Sequence, residues 1–246
     1  MTNTLEGSTA LVTGATAGIG RAIALQLAAR GADVVVHGRS IERGAEVVQE
    51  IADTGGRARF ISADLGAADD VRRLAAQAGA VDILINNAGV YKFATTADSD
   101  DAFFDEHINL NLRAPYILMQ QLAPGMAERG RGAVVNLSTI AAGTPARGAG
   151  IYGASKAGLE LLTRVWADEF GRDGVRVNAV QAGPTETPGT AATPGLTDAL
   201  GELATLGRAA AADEIANAVT FLASPAASYI NGAIVQVTGG QAAIAP

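Results

Sequence analysis

Tyr152 and Lys156 stand one helical turn apart in the stretch "GIYGASKAGLELL", and Lys156 is one of only two lysines, with Lys92, among 18 basic side chains. All the other basic positions are arginine, which serves as well or better at most surface tasks. A lysine kept one turn from a tyrosine therefore points to a role for a compact ammonium on a flexible stem. A phenol ordinarily ionises at about pH 10, and a nearby ammonium favours its phenolate. The pair is thus a candidate for passing one proton to or from a reacting oxygen. In the alternative reading Tyr152 caps a helix start and Lys156 is a surface charge.

The second candidate is the turn "TGATAGIG", which joins the β-branched run "TALV" to the helical stretch "RAIALQLAARG". Gly14, Gly18 and Gly20, with Thr16 and Ile19 between them, let backbone N–H groups approach a pyrophosphate over the positive end of a helix. Close packing of strand on helix is the other use for three glycines. The next strand ends "VVVHGRS". In NAD-binding folds an acidic side chain about 20 residues past the turn accepts the ribose 2′-hydroxyl. Here that carboxylate is missing, because Asp33 sits at the wrong end of the strand. Arg39 with Ser40 occupies the place of a 2′-phosphate, so NADP(H) is expected in preference to NAD(H).

These residues need a scaffold. Seven short apolar runs recur, "TALVTG", "ADVVVHG", "RARFISAD", "VDILINNAG", "GAVVNLST", "GVRVNAV" and "GAIVQVTGG", with helix-length segments between them. Nearly continuous apolar strands alternating with helices predict a parallel sheet covered on both faces, a Rossmann-like, doubly wound three-layer α/β/α fold. Ligands bind such sheets at the carboxyl ends of the strands. No linker or composition shift divides the 246 residues, so one dinucleotide-binding and catalytic domain over residues 1–246 is expected. Without cysteine there is no disulfide or thiolate chemistry, and having only two isolated histidines, His37 and His107, argues against a metal site. A net charge of −7 argues against nucleic acid as a partner. No apolar run is long enough for a membrane span and no export signal is visible, so the cytoplasm is the expected compartment. In the acidic stretch "ADSDDAFFDEH" one of Ser99, Asp100 and Asp101 is expected to cap a helix.

Taken together, "TGATAGIG", "NNAG" at 86–89, "YGASK" at 152–156 and "GPTETP" at 183–188 resemble the short-chain dehydrogenase/reductase family in order and spacing, over essentially the whole chain. The resemblance implies a nicotinamide cofactor and an enzyme interconverting a ketone and a secondary alcohol, with Tyr152 as general acid/base. A non-catalytic nucleotide-binding sensor or scaffold of the same fold is the alternative. The resemblance also implies that Asp64, beside Leu65, touches the adenine. Asn87, Ala88 and Gly89 would line the adenosine side, and Gly183, Thr185 and Thr187 would hold the carboxamide. Asn86 would be mainly structural, and Ala182 replaces the family's usual proline.

The family's proton relay adds an asparagine and a hydroxyl. Register selects Asn111 over Asn109 in "NLNLRAPY", with a water linking it to Lys156. It also selects Thr139 over Ser138 as the catalytic hydroxyl, and Ser138 is expected to bond within the scaffold. The stretch "QAGPTETPGTAATPGLTDALGELATL" is expected to be a mobile lid whose ionised groups are Glu186, Asp198 and Glu202. A small neutral ketone, alcohol or sugar is the expected substrate. Leu159, Leu161, Leu162, Val165 and Trp166 exceed what one buried face needs, so a homo-oligomer, a tetramer or alternatively a dimer, is expected.

Overall fold

The computed structural model describes residues 5–192 and 195–240. In chain order its elements are β1 (Thr9–Val12), α1 (Gly18–Ala29), β2 (Asp33–Gly38), α2 (Ile41–Asp53), β3 (Arg57–Ser62), α3 (Ala68–Ala78), β4 (Ile83–Asn86), α4 (Asp101–Ile108), α5 (Ala114–Glu128), β5 (Gly132–Thr139), α6 (Gly150–Gly171), β6 (Val175–Ala182), β7 (Thr185–Glu186), α7 (Leu196–Glu202), β8 (Ala210–Ala211), α8 (Ala212–Ala223) and β9 (Ile234–Val237). All seven apolar runs are strands of one parallel sheet, in the order β3-β2-β1-β4-β5-β6-β9.

Because successive strand residues point to opposite faces, each apolar run feeds two cores. Val12, Val36, Ile85 and Val135 face α1, α2 and α8, where they meet Ile23, Val47 and Ile215. Leu11, Val35, Leu84 and Val134 face α3, α5 and α6, where they meet Leu74, Leu118 and Leu159. Burying one such side chain stabilises the fold by roughly 1.5–3 kcal/mol. The chain winds outward from β1 through β2 and β3, then crosses back to β4 on β1's other side. The order therefore reverses between β1 and β4, which opens a crevice at their carboxyl ends.

Local signals behave as expected at α4, where Asp100 accepts from the Phe103 N–H at 2.8 Å. The segment expected to be a lid contains β7, paired with β8, and the helix α7, with Asp198 in its first turn; residues 193–194 of it lie outside the described ones. One expectation is corrected. On α6, Leu159 and Trp166 are not available to a partner, because both are buried in the chain's own core. Leu161, 60% exposed, and Val165, 39% exposed, remain outside with Tyr116 of α5. Among the described residues no helix is long and apolar enough to cross a membrane.

A polar ladder crosses the second core. Asn86 Nδ2 donates to Asn136 Oδ1, and Asn136 Nδ2 donates to Thr163 Oγ1, both at 2.8 Å, tying β4 and β5 to α6. Asn136→Ala leaves the buried Asn86 amide without its partner and Thr163 Oγ1 with only its bond to the Leu159 carbonyl, and is expected to lower the unfolding free energy by about 2–4 kcal/mol in urea titrations.

Candidate active site

The glycine turn is folded around its neighbours. Gly14 has φ +65°, open to glycine at little cost. A Cβ on Gly20 would come within 2.3 Å of the Gly14 carbonyl oxygen and 2.4 Å of Asn87 Nδ2. Asn87 is the reason for that closeness, since its amide donates to the carbonyls of Thr13 (2.8 Å) and Gly14 (3.2 Å). It braces the turn as well as lining the cavity beside it. No side chain caps α1, so the N–H groups of its first turn, at Gly18, Ile19 and Gly20, remain for a ligand. These donors at a helix N-terminus, on a cavity of about 660 Å³, fit a dinucleotide pyrophosphate.

Beneath the turn lies His37, 3% exposed at the end of β2. Its Nδ1 accepts from the Gly14 N–H at 3.2 Å and its Nε2–H donates to the Ala63 carbonyl at 3.2 Å. Burial lowers its pKa to about 4, so the imidazole is neutral and its tautomer is set by these two bonds. Nothing in the composition singled it out, although strand alternation places it against the turn.

At the far side of the cavity Arg39, just before α2, and Arg43, in its first turn, stand on the wall, which also carries Asp64 and Leu65. Arg43 was not anticipated, and the signal that could have found it is Ser40 as N-cap, which puts Arg43 in the first turn of the helix that follows the strand end. Ser40 does not join them. Its hydroxyl accepts from the Arg43 N–H at 3.3 Å and donates to Glu42 at 3.0 Å, capping α2 outside the cavity wall. Asp33 is bound to Arg57 at the other end of β2. Asp64 Oδ1 accepts from the Gly66 N–H.

Tyr152, Lys156, Thr139 and Ser138 meet at the opposite end of the same cavity, above β5. The two adjacent hydroxyls part company, as strand geometry requires. Ser138 Oγ donates to Glu160 Oε1 at 2.6 Å, while Thr139 stands beside the Tyr152 phenol. Burial pushes the phenol above its usual value, and the Thr139 hydroxyl pulls it partly back. Lys156, 5% exposed, donates to the Leu137 carbonyl at 2.7 Å, and burial lowers its pKa to about 8. Desolvation, rather than the ammonium, thus dominates the phenol here, contrary to the expectation from spacing alone.

Asn111 is wholly buried on a π-helical turn, residues Asn109–Arg113, and lies behind the cavity wall. Its Oδ1 accepts from Val90 N–H at 2.9 Å, while Nδ2 donates to the Val90 carbonyl at 2.9 Å and to Ser155 Oγ at 3.0 Å. Asn109 instead faces Arg113. Gly89 must lack a side chain, because a Cβ there would meet Asn111 Oδ1 at 2.8 Å and Lys156 Nζ at 3.3 Å.

The remaining wall closes over this end. Thr187 and Thr190 exchange hydrogen bonds, and Thr190 also reaches the Thr185 carbonyl, so hydroxyls lace the segment after Gly183. Ala182, in place of the expected proline, pairs in register with Thr139 on one side and Val237 on the other. Tyr91 and Phe93, unremarked in the sequence, flank the phenol, with the Phe93 ring edge-on to Tyr152 at 6.0 Å.

Four likenesses bear on this geometry. The family profile described as enoyl-(acyl carrier protein) reductase matches residues 14–242. The chain belongs to the short-chain dehydrogenase/reductase family. A solved short-chain dehydrogenase/reductase family protein is 51% identical, with a TM-score of 0.91, covering 96% of this chain and 98% of that one. A blue fluorescent protein from a metagenomic library, solved with NADPH, is 34% identical with a TM-score of 0.92, covering 98% and 100%. The 3-oxoacyl-[acyl-carrier-protein] reductase FabG of Staphylococcus epidermidis is 38% identical over 237 residues, 94% of this chain and 97% of that protein. As a short-chain dehydrogenase/reductase, this chain is an oxidoreductase using a nicotinamide dinucleotide.

His37 yields a prediction with a definite sign. Its pKa is about 4 when folded against 6.5 when unfolded, so the unfolded chain binds the extra proton between those values. Stability should fall as pH drops from 6.5 towards about 4 and level off below, a contribution of about 3 kcal/mol. Urea titrations across that range should show the slope in the wild type and lose it in His37→Gln.

Proposed function

We propose that the chain interconverts a small, neutral ketone and the corresponding secondary alcohol, with NADP(H) preferred over NAD(H). The observation that carries this reading is the convergence of Tyr152, Thr139 and Lys156 at one end of a cavity whose other end presents Arg39 and Arg43. A bound reduced dinucleotide supplies the hydride. Its pyrophosphate would rest on the turn from Gly14 to Gly20, including Thr16, with its adenosine half near Asp64, Leu65, Ala88 and Gly89. Gly183, Thr185 and Thr187 would hold the carboxamide, and Arg39 with Arg43 a 2′-phosphate.

The chain's own groups handle the proton. Burial keeps the Tyr152 phenol protonated, so its oxygen holds a proton to give to a substrate oxygen as negative charge develops there. Thr139 Oγ donates a second hydrogen bond to the same oxygen. Lys156, with its pKa near 8, is poised to return a proton to Tyr152 near neutral pH. Asn111 ties the loop at Val90 to Ser155 of α6, and its side-chain amide oxygen, which lies with Lys156 Nζ against Gly89, suits the relay water inferred from the family. The sheet, assembled from residues 9–237, supports reading the chain as one domain.

Around Tyr152 the wall is Tyr91, Phe93, Ile140, Ala149, Pro188 and Leu200, with no charged side chain among them. The staphylococcal relative is named for a carrier-bound 3-oxoacyl substrate. Here the covering segment bears Glu186, Asp198 and Glu202 and no basic anchor, which favours a free, uncharged substrate. The outer face of α5 and α6, with Tyr116, Leu161 and Val165, is where we place a homo-oligomer contact.

NADPH oxidation with a panel of activated ketones tests the reading. Tyr152→Phe should lower kcat about a thousandfold and Thr139→Ala about a hundredfold, both with NADPH affinity retained. Thr139→Ser should keep activity and Ser138→Ala should lose only a few-fold. NADPH binding without turnover of any ketone or alcohol would favour a sensor. Replacing Arg39 and Arg43 together by alanine should weaken NADPH binding at least about tenfold and leave NADH binding unchanged in fluorescence titrations.

A further inference from the structure

Glu160 is a carboxylate 9% exposed, and the two hydrogen bonds it accepts come from neutral donors, not from a basic side chain. Taking a carboxylate out of water is costly unless donors compensate it. Both compensating donors converge on Oε1, Ser138 Oγ at 2.6 Å and Gln181 Nε2 at 3.0 Å. Ser138 and Gln181 are register partners on β5 and β6, so one oxygen of α6 spans two strands at their carboxyl ends.

The spacing along α6 gives this contact its meaning. Tyr152, Lys156 and Glu160 recur every four residues and share one helix face. They reach the last three residues of β5: Glu160 takes the Ser138 hydroxyl, Lys156 the Leu137 carbonyl, and Tyr152 stands beside Thr139. One turn further on, Thr163 takes Asn136, which shares its strand face with Ser138. Consecutive strand residues point to opposite faces, so pinning Ser138 towards α6 turns Thr139 towards the cavity.

The geometry points to Glu160 as a positioning residue that decides which of the two adjacent hydroxyls, Ser138 or Thr139, serves the substrate oxygen. This inference rests on the proposed carbonyl–alcohol reaction. Without the carboxylate, the Ser138 hydroxyl and the Gln181 amide, 5% and 6% exposed, are left buried and unpaired. They regain partners only if the end of β5 shifts, and that shift moves Thr139. The loss falls chiefly on turnover, because most of the proposed dinucleotide contacts, at the glycine turn and the arginines, lie on other strand ends and only those from Gly183 onward follow β6.

The test compares Glu160→Leu and Glu160→Gln in the full-length protein, reading kcat for a ketone the wild type reduces and NADPH affinity by fluorescence. Glu160→Leu should lower kcat about tenfold with NADPH affinity changed less than about twofold. Glu160→Gln, whose amide oxygen still accepts, should stay within about threefold of wild type. In a Thr139→Ala background Glu160→Leu should cost less than about twofold, because the hydroxyl it positions is gone. An unchanged kcat in Glu160→Leu, an undiminished loss in the Thr139→Ala background, or a parallel loss of NADPH affinity would each overturn the inference. If Glu160→Leu shows no cooperative thermal transition, Ser138→Ala combined with Gln181→Ala cuts the same tie from the strand side and is held to the same outcomes. Full turnover in Tyr152→Phe and Thr139→Ala would bring down both readings, whereas their loss beside an intact Glu160→Leu would bring down this one alone.

Discussion

Every functional side chain at the catalytic end of the cavity depends on how α6 lies along β5. Helix and strand have different repeats, yet here three turns of α6 each take a polar group from residues 136–138 of the strand: Asn136 on Thr163, Ser138 on Glu160, and the Leu137 carbonyl on Lys156. These are polar contacts in a dry layer, where an unmade bond costs more than a made one contributes. The register between the two elements therefore has little freedom, and Tyr152, at the helix start, inherits its place over Thr139 from it. The same logic holds at the other end, where Asn87 and His37 fix the glycine turn through its backbone.

Burial in this layer acts on the two titrating groups in opposite directions and towards the same result. It raises the phenol of Tyr152 and lowers the ammonium of Lys156 to about 8, so both neutral forms are favoured. A protonated phenol suits proton donation to a developing alkoxide. The reverse reaction needs the phenolate, and a positive charge brought into the cavity with an oxidised dinucleotide is what would favour it. In the proposed reaction the direction of proton transfer would then be coupled to the charge of the bound cofactor rather than to Lys156 alone.

Much of this was legible in the chain. The seven strands were readable because each is an apolar run flanked by turn residues, and a parallel sheet buried on both faces demands such runs. The opposite facing of Ser138 and Thr139 followed from the two-residue repeat of a strand. The illegible parts depend on contacts distant in sequence. Thr185 and Glu186 form a strand only because Ala210 and Ala211 lie beside them. Leu159 and Trp166 read as surplus apolar residues until the sheet was in place to bury them. Arg43's place on the cavity wall depends on where α2 starts, which the Ser40 cap settles. Glu160 gave no signal at all, since its partners lie 22 and 21 residues away.

The most direct test of the account is the ionisation of Tyr152 itself, measured as the phenolate absorbance difference between the wild type and Tyr152→Phe across pH. The account predicts that the ligand-free protein shows no Tyr152 phenolate up to about pH 10 and that saturating oxidised dinucleotide moves the transition to lower pH. A phenolate already present near neutral pH in the ligand-free protein, or a transition indifferent to the dinucleotide, would contradict it.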